Sequence, residues 1–199
     1  MDKVKVSLDL HDWSVVNNRL DLLYKLKEHF DDFRISLFTV PLDEKQDWGA
    51  YLIRDQLLAE VKKNLSWMQI IPHGFSHHGR EELIRTDFYM IEETLDRDGL
   101  PFERGYCAPH WAWDGIMVDT LNNMGWWGAI HPDKVMARPD KFYRFSHSID
   151  EPFWETTGDL KLHGHVYGTR NDLGLCMDNL LKLPKDTDWH YVTDFLENK

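Results

Sequence analysis

Seven of the chain's 11 histidines fall in four short polar clusters. These are Asp9-Leu10-His11-Asp12, His73-Gly74-Phe75-Ser76-His77-His78, Cys107-Ala108-Pro109-His110-Trp111 and His163-Gly164-His165. Imidazole and carboxylate are the groups that ligate divalent metals and move protons near neutral pH. His73 and His77 stand four apart. At a helix start or on a wide turn that spacing puts both rings on one side, where they can share one ion. Imidazole with carboxylate suits one divalent metal ion, zinc by preference, with a position left open for water. His78 cannot point the same way as His77 and is expected behind the site or at the surface.

Each cluster follows a stretch that reads as a strand. Residues 4–8 alternate apolar and polar, and 35–40 and 67–71 are dense apolar runs closed by Pro41 and Pro72. Further strands are expected over 102–107, 126–130, 142–145, 160–166 and 189–193. Helical periodicity covers 17–30, 51–63, 86–97, 114–124 and 175–183. Asp114 is placed to cap the fourth of these helices and Gly125 to end it. Residues 133–159 carry the weakest pattern and read as a long loop with a small hairpin. Alternating strands and helices imply parallel strands joined by crossover helices. About seven such units in 199 residues, with no linker or repeat, predict one domain, 1–199, built as a small α/β barrel. Functional groups of such folds gather at the C-terminal ends of the strands, where all four clusters lie.

Apolar residues make up 42% of the chain and aromatic ones 13%, enough for a substantial core. A formal net charge of −11 disfavours nucleic acid and leaves a small-molecule or glycan substrate as the expected partner. Nine tryptophans suit a sugar site, although core packing accounts for most of them. Cys107 and Cys176 form no CxxC pattern and imply no disulfide framework. No signal-peptide pattern and no membrane span is evident, so a cytoplasmic location is expected.

The clusters resemble, in order, the motifs of the polysaccharide deacetylases, carbohydrate esterases of the family four type. That family carries Thr-Phe-Asp-Asp, then His-Ser/Thr-x-x-His, then Arg-x-Pro-aromatic, then Leu-x-His. The counterparts here are Ser7-Leu8-Asp9-Leu10, His73 to His77, Cys107 to Trp111 and Leu160 to His165. The resemblance implies a distorted (β/α)7 barrel and a metal-dependent hydrolase that removes an acetyl group from an N-acetylated sugar or glycoconjugate. It implies His73 and His77 as metal ligands and Asp9 as general base. The backbone N–H of His110 would face the oxyanion, and His163 or His165 would protonate the leaving nitrogen. Those two share a strand face, so spacing does not choose between them.

Two departures bear on this. Leu10 aligns with the family's second Asp, a metal ligand, and Cys107 with the Arg that braces the base. Asp12 is expected to complete the metal shell, with His11 or Asp9 as alternatives. Capping a helix near Trp13 and Ser14 is the competing use of Asp12. Trp111, Trp113 and Trp126 are candidates for a sugar or acetyl pocket, and His131 for its mouth. A non-catalytic carbohydrate-binding relative and a C–N hydrolase acting on a non-sugar amide are the competing functions.

Overall fold

The computed structural model describes residues 4–42, 53–77, 85–134, 137–155 and 158–199. His78 and the first two residues of the helix expected over 51–63 lie outside them. Strand β1, Lys5–Trp13, occupies the middle of the main sheet. Its odd residues Ser7, Asp9 and His11 point to the barrel interior. Val6, Leu8 and Leu10 join the apolar layer beneath the helices.

Around β1 the parallel staves are β2, Ile35–Thr39; β3, Met68–Pro72; β4, Gly105–Cys107; β5, Trp127–Ile130; β6, Lys141–Arg144; β7, His147–Ser148; and β8, Leu160–His165. The pairing β3-β2-β1-β8-β7 forms one sheet and β6-β5-β4 the other. Two features join them into a ring. The chain bends at Phe145 and Ser146 so that β6 and β7 act as one stave. A parallel bridge between Ile70 and Phe102 links β3 to the start of β4. The result is a seven-stave distorted α/β barrel, as the strand–helix alternation predicts.

Register carries the interior around this ring. Asp9 pairs with Ser36 and His163, Ser36 with Gln69, Gly105 with Trp127 and Ala129 with Tyr143. Because strand side chains alternate, each pair of neighbours faces inward together. The helices Leu20–His29, Arg54–Lys62, Arg85–Asp98, Gly115–Met124 and Leu173–Leu180 cover the outside. Asp114 caps the fourth, accepting from Met117 N–H at 2.7 Å, and Gly125 ends it at φ 69°.

Three expectations are corrected. The strand expected over 4–8 continues to Trp13, because polar residues after Leu8 face a polar interior. The weakly patterned 133–159 stretch holds β6 and β7 as parallel staves, and no hairpin joins them. The last expected strand is the short β9, Asp188–His190, which fills the splay between β1 and β2. It leads into a 3-10 turn, Val192–Phe195, that plugs the lower end of the barrel. There Val192 N–H donates to Ser36 Oγ and Gln69 Nε2 to Thr193 Oγ1.

The Trp127 ring lies flat over Gly105, so a Cβ at position 105 would fall 2.2 Å from the indole. Gly105→Ala is expected to cost about 1–3 kcal/mol through overpacking. Urea denaturation of the variant against wild type measures this, and unchanged stability would mean the ring moves freely.

Candidate active site

The site begins with a defect in β1. Leu10 pairs with Leu37 and Trp13 with Thr39, so three steps along β1 answer two along β2. The extra residue is a β-bulge, and Asp12 holds it at φ 58°. Regular alternation would send Asp12 outward with Leu8 and Leu10. The bulge turns its carboxylate over the barrel mouth instead. No helix starts near Trp13 and Ser14, where the competing use of Asp12 as a cap required one, and the helix expected over 17–30 begins later. That helix begins at Leu20, whose N–H is capped by Asn18 Oδ1.

His73 follows β3 directly and is buried. Its Nδ1 lies 3.0 Å from the Cys107 carbonyl, an atom that only accepts, so Nδ1 carries the proton. A neutral His73 therefore presents the Nε2 lone pair to Asp12 Oδ1, 3.3 Å away. The wide turn after β3, with Gly74 at φ 71° and His77 at φ 58°, brings His77 Nε2 to 3.1 Å from the same oxygen. Asp12 Oδ1 is buried, yet no hydrogen bond reaches it. A cation placed there would be met by the carboxylate oxygen and by both Nε2 atoms at once. Tetrahedral zinc with bonds of about 2.0–2.1 Å sets its ligand atoms roughly 3.3 Å apart, close to the spacing found. The donor set Asp12, His73 and His77 thus fits a divalent ion. Burial alone would raise the Asp12 carboxyl, but the surrounding imidazoles, His73 foremost, hold it well below the usual carboxylate range.

Deeper in the barrel, Asp9 is 1% exposed. Its Oδ1 accepts from His163 Nδ1 at 2.6 Å and its Oδ2 from the Tyr143 hydroxyl at 2.9 Å. His11 Nε2 approaches Oδ1 at 3.3 Å without hydrogen-bond geometry. Burial opposes ionisation of Asp9, and the His163 and His11 imidazoles outweigh it, keeping the group charged. Burial pushes the Tyr143 hydroxyl well up, and the Asp9 charge adds to this, so it remains a donor. Burial also pushes the Cys107 thiol well up, with help from Asp9 and Asp12, and its Sγ lies 4.0 Å from His11 Nδ1. The neutral thiol stands where the family pattern has an Arg. His11, lowered by burial and then by His163, is a neutral ring packed on Phe38 at 4.4 Å.

His165 is half-buried beside His163, with ring centroids 4.9 Å apart, and its Nδ1 meets Asn171 Oδ1 at 2.9 Å. Burial, then the neighbouring His163, lowers its pKa. His110 is exposed at the mouth, its ring 5.0 Å from His77. Trp111 and Phe145 wall His163 at 5.5 and 4.5 Å, and His131 closes against both at 5.5 and 5.3 Å. Of the three tryptophans singled out, Trp111 alone faces these groups. Trp113 packs over Gly128, and Trp126 is buried with Phe88 and Phe102.

Asp12, His77, His110 and Trp111 all have left-handed backbones, as does Arg19 elsewhere. Such residues cost on the order of 1–3 kcal/mol each and persist where surrounding structure enforces them. Four of them around one mouth mark it as a built site. Sequence reasoning missed Tyr143, Phe145 and Asn171. Tyr143 and Phe145 lie in the expected strand over 142–145, but nothing local shows which groups they meet across the barrel.

No protein-family model and no curated protein sequence matches the chain. Solved structures do resemble it in fold. The chitin deacetylase of the fungal pathogen Colletotrichum lindemuthianum superposes with a TM-score of 0.62 at 13% identity, covering 100% of this chain and 90% of that one. A family 4 carbohydrate esterase from Streptomyces lividans, in complex with acetate, gives 0.57 at 11%, covering 90% and 86%. A pseudoenzyme of the same family from Bacillus anthracis gives 0.58 at 9%, covering 97% and 65%. The barrel is therefore the fold shared by these three proteins. Among the described residues no helix is long and apolar enough to cross a membrane.

The converging donors predict one divalent ion per chain. Losing a ligand is expected to weaken binding at least as much as losing a supporting contact, about 10–100-fold. Calorimetric zinc titration of Asp12→Ala, His73→Ala and His77→Ala should show this, while Cys107→Ser binds as wild type does. Wild-type affinity in Asp12→Ala would remove Asp12 from the shell.

Proposed function

We propose that this protein is a metal-dependent hydrolase that removes the acetyl group from an N-acetylated sugar or glycoconjugate. The observation that carries the reading is the convergence of Asp12 Oδ1, His73 Nε2 and His77 Nε2 beside an Asp9-backed imidazole. The barrel it shares with chitin and other carbohydrate deacetylases supports the choice of substrate.

Asp12, His73 and His77 would hold a divalent ion, which when bound would acidify water and polarise a carbonyl. The protein's own groups do the rest. His163 donates a hydrogen bond from Nδ1–H to Asp9 and keeps that proton, so its Nε2 is the atom that delivers a proton to the departing nitrogen. The Asp9 charge stabilises the imidazolium that this role requires. Asp9 in this reading is the support of His163 rather than the base that the motif alignment suggests. It is buried, and both its oxygens already accept hydrogen bonds, from His163 and Tyr143. The His110 N–H remains the proposed donor to the oxyanion. Trp111 and Phe145 offer an apolar wall to the acetyl methyl.

The binding-only reading has one observation in its favour, the similarity to a pseudoenzyme together with Cys107 in place of the family's Arg. Activity separates the two. Zinc- or cobalt-loaded protein is expected to release acetate from chitooligosaccharides or a simpler N-acetyl amide. Asp9→Asn and His163→Gln should each lower kcat by about 10²–10⁴-fold, the usual range for a lost acid or base, with metal content retained. Tight binding of ion and oligosaccharide by wild type without any acetate release would establish the binding module instead.

A further inference from the structure

His163 and His165 point from the same face of β8, and their partners differ in kind. His163 Nδ1 meets a carboxylate, whereas His165 Nδ1 meets the side-chain amide of Asn171. The orientation of that amide is set by a chain of groups leading in from the surface. Arg170 Nε pairs with Asp150 Oδ2 at 2.9 Å. Asp150 can only accept, so the Ser148 hydroxyl donates its proton to Asp150 Oδ1. Ser148 Oγ is then left to accept, and Asn171 Nδ2 donates to it at 3.0 Å. The opposite end of the amide, Oδ1, therefore faces inward, where Thr169 Oγ1 donates to it at 2.6 Å. Turning the amide over would set two acceptors against each other at Ser148. With Oδ1 fixed, His165 Nδ1 must carry the proton and Nε2 the lone pair.

We propose that His165, held in its Nδ1–H form by Asn171, is the proton acceptor for the attacking water, with Asn171 as its positioning residue. This rests on the hydrolase reading above. His165 pairs in register with His11, the residue before Asp12. Its ring is half-buried at the mouth, where His163 is buried and backed by a full negative charge. A carboxylate partner stabilises an imidazolium and suits a proton donor. A neutral amide fixes the tautomer without favouring the cation and suits an acceptor. Two imidazoles on one strand face thus take opposite duties from their partners.

Long-range nitrogen–proton spectra of histidine-labelled, metal-free protein read the tautomers directly, with no substrate needed. His165 is expected as the neutral Nδ1–H form. Asn171→Asp should convert it to imidazolium at the same pH and lower acetate release at least about tenfold, with zinc content unchanged. His165→Gln, which leaves the Asn171 network in place, should lower kcat by a similar factor with little effect on KM. An Nε2–H His165 in wild type, or full turnover by His165→Gln, would overturn the proposal while leaving the hydrolase reading intact. Loss of zinc binding in His165→Gln would overturn it too, making His165 a ligand. A wild-type protein that binds zinc but hydrolyses no acetylated substrate takes down the functional reading itself.

Discussion

Asp9 places a full negative charge inside a barrel, out of reach of water. Isolated, such a charge would be prohibitively costly, and the group would take up a proton instead. It stays ionised because His163, Tyr143 and, at longer range, His11 surround it. Those partners come from three staves, so the pairing ties β1 to β8 and to β6 across the interior. The same contact sets the His163 tautomer. The tie across the barrel interior therefore rests on one buried carboxylate.

Above this anchor the site is organised by tautomers. The Cys107 carbonyl turns the His73 lone pair toward Asp12, and Asn171 leaves the His165 lone pair on Nε2. A net charge of −11 says little about such a place, where carboxylates are outnumbered by rings. The two departures from the deacetylase motifs also find a physical account. Leu10 belongs to the apolar layer under the helices, because the bulge delivers Asp12 to the mouth two residues later. Cys107 need not brace a carboxylate charge, because Tyr143 and His163 already hold Asp9.

Much of this was legible in the sequence. Alternation and apolar runs give the strand–helix order, and Asp114 and Gly125 mark their helix ends, because these are local effects of burial and capping. The four polar clusters sit at strand ends, and the HxxxH spacing picks out His73 and His77, because the wide turn needs no distant partner to bring them together. Asp12 was reachable as a candidate from the need for a carboxylate near two imidazoles. The competing helix cap was equally consistent with its local sequence.

What the sequence could not decide depends on register and on contacts across the barrel. A single extra residue in β1 reverses the direction of Asp12, and no local pattern announces it, since the bulge is defined only against β2. The partners of Asp9, Tyr143 and His163, lie 134 and 154 residues away, so no local pattern shows that both its oxygens are engaged. His163 and His165 are equivalent by spacing and become different only when one meets a carboxylate and the other an amide. The sequence by itself determined which residue types and which staves build the site. The tertiary structure decided which atom of each faces which, because hydrogen-bond direction inside a barrel is set by neighbours far away in the chain.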